Sequence, residues 1–185
     1  MDALAITPFP ELLEASRVYL QKHRSSMAPE MFHLIDLNRE SLNPFMPWAE
    51  KTRSVKDSKA WILHTQEAWK EGSLFDYGLY LKGTRRYIGS LGLHTIEWDH
   101  RRAEFGYWLG KEFQGCGYLA EALTVLEKEA YQKGFHRLEI RCSTENTRSA
   151  QVARRAGYIL EGTLKDNTLF SGRWVSNHIF AKLAK

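Results

Sequence analysis

Helices are predicted in four stretches of the chain, beginning near Ser26, Val55, Gly117 and Asn146. The stretch after Gly117 is the most regular, with apolar residues at Leu119, Ala122, Leu123, Leu126 and Ala130. Charged residues fill the positions between them, so the period indicates an amphipathic helix. Ser26 is a candidate N-cap for the first helix, with Pro29 in its first turn.

Strand-like patterns fill most of the remaining chain. Strands are predicted within residues 16–23, three between 74 and 110, and then at 136–142, 159–164 and 174–183. The turns at 82–84 and 98–100 are too short to hold crossover helices, so the three central strands are expected to be antiparallel. The segment 43–51, rich in proline and aromatic residues, is expected to interrupt the helices.

Composition limits the class of protein. A chain of 185 residues with 43% hydrophobic and 26% charged residues fits one globular domain, assigned to 16–185, after an N-terminal extension over 1–15. No apolar run approaches 18 residues, and the first ten residues lack the features of a signal peptide, so we expect no membrane contact and a cytoplasmic location. Cys116 and Cys142 show no zinc spacing, so free thiols and no metal are expected. A net charge of +4 suits a polyanionic ligand, but it is weak evidence for nucleic-acid binding, which we do not expect.

Gly115 and Gly117 stand where the most regular helix begins. The backbone N–H groups of a first helical turn attract phosphate, and glycines at this point let the phosphate approach closely. The alternative interpretation is that the two glycines only shape a tight turn and bind no ligand. The same residues fit the dinucleotide fingerprint G-x-G-x-x-[GA], with Glu139 about 20 residues further on. Hairpins precede this motif and only 46 residues follow Glu139, which argues against a doubly wound NAD-binding sheet.

Four segments of the chain, in order, resemble the GCN5-related N-acetyltransferases (GNAT superfamily), and most closely the RimJ/RimL ribosomal-protein N-acetyltransferase branch. They are LIDLNRESLNPFMPW (34–48), AEFGYWLGKEFQGCGYLAEAL (103–123), NTRSAQVARRAGY (146–158) and LEG (160–162). The resemblance implies an α/β (α+β) fold with a mixed, mostly antiparallel central sheet of about seven strands and about four flanking helices. It also implies an acetyl-CoA-dependent N-acetyltransferase that needs no metal and acts on a primary amine, above all the α-amine of a protein N-terminus such as that of a ribosomal protein.

The resemblance also implies where acetyl-CoA binds. The loop that would hold its pyrophosphate comprises Gln114, Gly115, Cys116, Gly117, Tyr118, Leu119 and Ala120. The backbone of Tyr107, Trp108 and Leu109 would pair with the pantetheine amides as an added strand. Asn146 and Ser149 match positions that meet the pantetheine arm and the sulfur.

Glu104 is the candidate general base, because it shares a strand face with Gly106 and Trp108 and apolar surroundings would raise its pKa. The alternative is a surface carboxylate paired with Arg101 or Arg102.

Ser149 would give a proton to the departing CoA thiolate, or alternatively cap the helix near Asn146. Phe45, Met46 and Trp48 would line the acceptor channel or merely cover the core.

The chain departs from its relatives where they commonly carry carboxylates, with Thr168 after the LEG segment and Ser176 near the final strand. Asp166 lies close to Thr168, but it would reach the same strand face only without a bulge, so it is given no catalytic role. Three histidines match no ligand or base pattern: His94, His100 and His178.

Other functions remain open at this point. The acceptor would alternatively be a small-molecule amine such as a polyamine, an antibiotic or an amino acid. The missing carboxylates fit a non-catalytic acyl-CoA-binding protein, and clustering of the 26 Lys and Arg would fit an RNA-binding module. A homodimer is compatible with the resemblance.

Overall fold

The computed structural model describes residues 8–170 and 172–185. In this part of the chain eight strands form one mixed sheet in the order β1-β2-β3-β4-β5-β6-β8-β7. The strands are β1 (Leu12–Glu14), β2 (Val18–Lys22), β3 (Phe75–Leu81), β4 (Tyr87–Glu97), β5 (Arg102–Leu109), β6 (Arg137–Ser143), β7 (Ile159–Phe170) and β8 (Arg173–Leu183).

The described part of the chain also contains six α-helices. They are α1 (Ala28–Leu37), α2 (Arg39–Leu42), α3 (Trp48–Lys51), α4 (Val55–Glu71), α5 (Tyr118–Gln132) and α6 (Thr147–Arg155). None of the helices in the described part has both the length and the apolar character needed to cross a membrane.

The predicted mixed, mostly antiparallel sheet is confirmed. β1 to β5 pair antiparallel in chain order, β5 and β6 pair in parallel across α5, and β8 pairs antiparallel with both β6 and β7. The additional strand is β1, which lies in the predicted N-terminal extension and pairs with β2; residues 1–7 of that extension lie outside the described residues. The additional helices, α2 and α3, have four residues each, and α3 forms inside the segment expected to interrupt the helices.

The predicted N-cap at Ser26 is wrong. Residues 25–27 form a short 3₁₀ turn, and α1 starts after Met27, with Pro29 near its beginning. By contrast, α4 has a side-chain cap, because Ser54 accepts from the backbone N–H of Asp57. A 3₁₀ turn satisfies backbone groups at a helix start without a side-chain cap, which explains why the serine is not used.

The core lies between the sheet and its helices. From α1 it takes Met31 and Leu34, and from α5 it takes Leu123 and Leu126, all of them buried. Leu123 and Leu126 belong to the apolar positions predicted for this helix, so the sequence pattern correctly identified the face of α5 that packs on the sheet.

β5 and β6 pair over only part of their length. The parallel register runs from Arg102 opposite Arg137 to Phe105 opposite Ile140, and both strands then continue without pairing to each other. A wedge therefore opens in the middle of the sheet, with β5 forming one wall and β6 the other.

Candidate active site

A cavity of about 230 Å³ occupies this wedge. Strands β4 to β8, the start of α6 and the loop before α3 contribute to its wall. The lining residues are Pro44, Phe45, Met46, His94, Glu104, Phe105, Gly106, Tyr107, Arg141, Cys142, Ser143, Asn146, Ser149, Thr168, Phe170, Arg173, Val175 and Asn177.

Glu104 lies in the cavity wall with a side chain that is 16% exposed. Its carboxylate oxygens lie 3.4 Å from Nε of Arg141 and 4.0 Å from Nε2 of His94. Burial raises the pKa of Glu104 to about 7, although the positive charge of Arg141 acts to lower it. The alternative pairing with Arg101 or Arg102 is not observed, because the Arg102 guanidinium donates to Glu97 at 2.6 Å.

Arg141 is held in place by a second carboxylate. Glu139 is 5% exposed and accepts from Arg137 Nε at 2.7 Å and from Arg141 Nη2 at 2.9 Å. Burial acts to raise the pKa of Glu139, but the hydrogen bonds from the two arginines outweigh it and the pKa lies below its usual value. Glu139 therefore serves as an ionised anchor inside the sheet, which does not suit the ribose-binding role of a dinucleotide site.

Ser149 and Tyr107 form a hydroxyl pair that also lines the cavity. Their oxygens lie 2.9 Å apart, and burial raises the pKa of Tyr107, so its hydroxyl stays protonated. Asn146 caps α6 by accepting from the Ser149 backbone N–H at 3.1 Å. Capping thus uses the Asn146 side chain and leaves the Ser149 hydroxyl to the cavity. Burial also raises the pKa of the neighbouring Cys142 thiol, which disfavours a thiolate.

The glycine-containing turn leads directly into α5. Gly115 has φ +78° and Gly117 has φ +82°, a left-handed conformation that favours glycine. In the described residues no side chain caps α5, so its first N–H groups are free for an anion. Gln114 fixes the start of the turn, donating to the Leu109 carbonyl at 3.0 Å and accepting from Arg148 Nη1 at 2.6 Å.

The remaining turn residues differ in what they offer a ligand. Cys116 and Ala120 are exposed, Tyr118 is partly buried, and Leu119 is buried in the core. Leu119 can therefore contribute only backbone groups.

The end of β5 presents backbone groups to the wedge. Trp108 is paired with Ser90 of β4, and the Gly110 N–H donates to the Ile88 carbonyl. Since backbone groups alternate along a strand, those of Tyr107 and Leu109 point the other way, into the gap left by β6. This is the arrangement that accepts an added strand.

The residues predicted to line the acceptor channel do not all lie in the cavity. Phe45 lines the cavity, whereas Trp48 packs against Trp108 with ring centroids 5.7 Å apart and lies outside the lining. Thr168 faces the cavity, but Asp166 does not. The pairing of β7 with β8 shifts between Leu164 and Thr168, which is the bulge that separates the two residues.

Sequence reasoning missed His94 and Arg141. His94 pairs across the hairpin with Glu104, and burial lowers its pKa. Its ring lies over Gly106, where an added Cβ would come within 2.8 Å of Nε2. The sequence held no usable signal for either residue. A bulge in β4 brings His94 opposite Glu104, and the position of Arg141 depends on a parallel register that sequence patterns do not fix.

No group of three or more His, Cys, Asp or Glu side chains in residues 8–170 and 172–185 is arranged to hold a metal ion.

The wedge, the uncapped helix start and the buried carboxyl together form the candidate site. The sequence model of the acetyltransferase (GNAT) domain matches residues 17–159. The chain belongs to this family, and the resemblance drawn from its four segments is confirmed.

The relatives extend this result. A ribosomal-protein-serine acetyltransferase of Escherichia coli (strain K12) is 28% identical over 154 residues, covering 83% of this chain and 85% of the relative. The ribosomal-protein α-N-acetyltransferase RimL in complex with coenzyme A has a TM-score of 0.89 at 24% identity, covering 94% and 98% of the two chains. The microcin C7 self-immunity acetyltransferase MccE, with acetyl-CoA and AMP, has a TM-score of 0.90 at 24% identity, covering 98% and 100%. At this identity the two solved structures show a shared fold.

Proposed function

We propose that this protein transfers the acetyl group of acetyl-CoA directly to a primary amine, and that the amine is the N-terminal α-amine of a protein. The observation that carries the proposal is Glu104, a buried carboxyl with a pKa of about 7 in the wall of the wedge. A base with such a pKa is half ionised near neutral pH, where general-base catalysis is most effective. The RimL and MccE complexes support coenzyme A as the ligand, and the Escherichia coli relative supports a ribosomal-protein acceptor.

The turn over residues 114–120 and the first N–H groups of α5 would bind the pyrophosphate. From there the pantetheine arm would run along β5 and pair with the backbone of Tyr107 and Leu109, in the gap beside β6. This path brings the thioester to the cavity, between Glu104 and the Ser149 hydroxyl.

The amine nitrogen would attack the thioester carbonyl carbon, and Glu104 would accept the amine proton, directly or through water, as the tetrahedral intermediate forms. A backbone N–H of β5 would stabilise the oxyanion. Collapse of the intermediate breaks the carbon–sulfur bond, and Ser149 would donate a proton to the departing thiolate. Its hydroxyl would regain a proton from solvent in the open cavity, to which Glu104 also releases the proton taken from the amine. Tyr107, which lies 2.9 Å away and stays protonated, would orient the Ser149 hydroxyl. No covalent intermediate on Cys142 is required, which agrees with its raised pKa.

The choice of acceptor rests on proton affinity. An α-amine with a pKa of about 8 is roughly one-fifth neutral at pH 7.4, whereas a lysine of pKa about 10.4 is about 0.1% neutral. Thr168 and Ser176 stand where relatives often carry carboxylates, and a site with few carboxylates would deprotonate the more acidic amine more easily.

The test is an acceptor panel with acetyl-CoA, in which release of free CoA thiol and mass of the product are measured. The panel contains peptides with free and blocked N-termini, spermidine and single amino acids. We expect acetylation of free N-termini and none of internal lysines in blocked peptides. Turnover restricted to small amines would assign the protein to small-molecule acetylation. Tight CoA binding without turnover of any acceptor would assign it to the non-catalytic class.

A further inference from the structure

Arg17 joins the start of β2 to the turn that precedes α5, although the two lie about a hundred positions apart in sequence. Its Nε lies 2.6 Å from Glu121 Oε1, and its own backbone N–H donates to Glu121 Oε2 at 2.9 Å. Its Nη2 donates to the Cys116 carbonyl at 2.8 Å, and its guanidinium lies 4.8 Å from the centroid of the Tyr118 ring. One residue therefore contacts the turn at positions 116 and 118 and the adjoining first turn of α5 at position 121.

A turn of this composition needs an external restraint. Gly115 and Gly117 both adopt left-handed conformations, and glycine exchanges readily between such conformations and others. The Cys116 carbonyl lies between these two glycines, so its bond from Arg17 fixes the peptide that separates them. The planar guanidinium can hold the carbonyl and the Glu121 carboxylate at once, which an ammonium group cannot do with the same geometry.

Gly117 is part of the same arrangement. A Cβ built on Gly117 would lie 3.2 Å from Arg17 Nη2, tighter than an ordinary contact. A side chain at this position would therefore press on Arg17 as well as require an unfavourable φ.

Charge gives a second reason for the contact. Glu121 lies in the first turn of α5, beside the N–H groups that face the proposed pyrophosphate. Burial acts to raise its pKa, but the hydrogen bonds and charge of Arg17 outweigh this and leave Glu121 ionised. Without Arg17 an unpaired carboxylate would lie close to an anionic ligand and repel it.

We propose that Arg17 is a positioning residue that holds the 114–120 turn in its phosphate-binding conformation and neutralises Glu121. The proposal rests on the proposed function for the identity of the ligand. An exposed ion pair contributes little to global stability, and the Arg17 side chain is 50% exposed, so the effect should appear in ligand binding rather than in unfolding.

The test compares Arg17→Met, Arg17→Lys and a matched control, Lys82→Met. Lys82 forms an exposed ion pair with Glu14 at 3.0 Å next to the same strand, but makes no contact with the turn. The first readout is CoA binding by titration calorimetry, which does not depend on the acceptor. The second is steady-state kinetics with acetyl-CoA and with acetyl-pantetheine, which lacks the pyrophosphate.

We expect both Arg17 variants to weaken CoA binding and raise the acetyl-CoA KM by about tenfold, a change of about 1.4 kcal/mol. The kcat value, the thermal midpoint and kcat/KM for acetyl-pantetheine should stay close to wild type, as should every parameter of Lys82→Met. An Arg17→Lys enzyme with wild-type affinity would show that only the charge matters and would overturn the positioning role. Equal losses with acetyl-CoA and acetyl-pantetheine would also overturn it, since the defect would then be general.

The two proposals fail separately. A wild-type protein that binds CoA but acetylates nothing refutes the proposed activity, while the calorimetric comparison still decides the role of Arg17. A wild-type protein that does not bind CoA refutes both.

Discussion

Replacing Glu104 by glutamine keeps the shape of the side chain and removes its ability to take a proton. The chemical step should slow by roughly 10²-fold at neutral pH, the usual contribution of a positioned base. The more informative quantity is the pH dependence of kcat/KM, because it reports ionisations of the free enzyme and the free acceptor.

The wild-type rate should depend on two fractions, ionised Glu104 with a pKa of about 7 and neutral α-amine with a pKa of about 8. Between pH 7.5 and 5.5 the first falls by about 25-fold and the second by about 80-fold, so kcat/KM should fall by about 2,000-fold. In Glu104→Gln only the amine titrates, and the fall should be about 80-fold. His94 and Arg141 are common to both enzymes and do not alter the comparison.

The assay is initial-rate release of CoA thiol with a peptide acceptor, from pH 5.5 to 9. Glu97→Gln is the matched control, since Glu97 is a partly buried carboxylate at the end of β4 that pairs with Arg102 and does not line the cavity in the wedge. The limiting slope of log kcat/KM against pH should be 2 for wild type and the control, and 1 for Glu104→Gln. A slope of 2 retained in Glu104→Gln would refute the assignment of Glu104 as the base.

Three further outcomes follow from the same geometry. Gly117→Val should raise the acetyl-CoA KM at least about tenfold, because a φ of +82° is strained for a branched residue. An unchanged KM in a folded variant, or saturable binding of NADH to the wild-type protein, would contradict the pyrophosphate site. Arg141→Gln should move the acid limb of the rate profile to higher pH, because the Arg141 charge lowers the pKa of Glu104, whereas Arg137→Gln, on the same strand, should leave it in place. Finally, folding raises the pKa of Glu104 from about 4.5 to about 7, so the native state holds a proton that the unfolded state has lost between these pH values. The wild-type free energy of unfolding, measured by urea denaturation, should therefore fall by up to about 3 kcal/mol as pH rises through this window. Glu104→Gln should show no such loss.

Local patterns predicted most of the fold, because they depend on short-range physics. The helical period after Gly117 and the short connections between residues 74 and 110 led directly to α5 and to the antiparallel strands. The strand β1 and the single turns α2 and α3 were missed, since three or four residues carry too little periodicity to be recognised.

The neighbours of Glu104 could not be predicted in the same way. In the hairpin of β4 and β5, Glu97 pairs with Arg102 next to the loop. A regular antiparallel register continued from this pair would place Thr95 opposite Glu104. A bulge intervenes, with Thr95 at φ +49°, and brings His94 there instead. A bulge of this kind shifts every side chain beyond it, so a small local irregularity determined the composition of the site.

The exposure of β7 has a consequence for how this enzyme can change during evolution. Every residue from Ile159 to Leu169 is exposed, yet Thr168 also faces the cavity. Substitutions at exposed positions usually alter stability by less than about 0.5 kcal/mol. The part of the cavity wall formed by β7 can therefore vary at little cost to folding, while the parts formed by β5 and β6, strands of the core, are constrained by packing. Under the proposed function, a lineage with this architecture can acquire new amine substrates while the residues that bind the thioester stay the same.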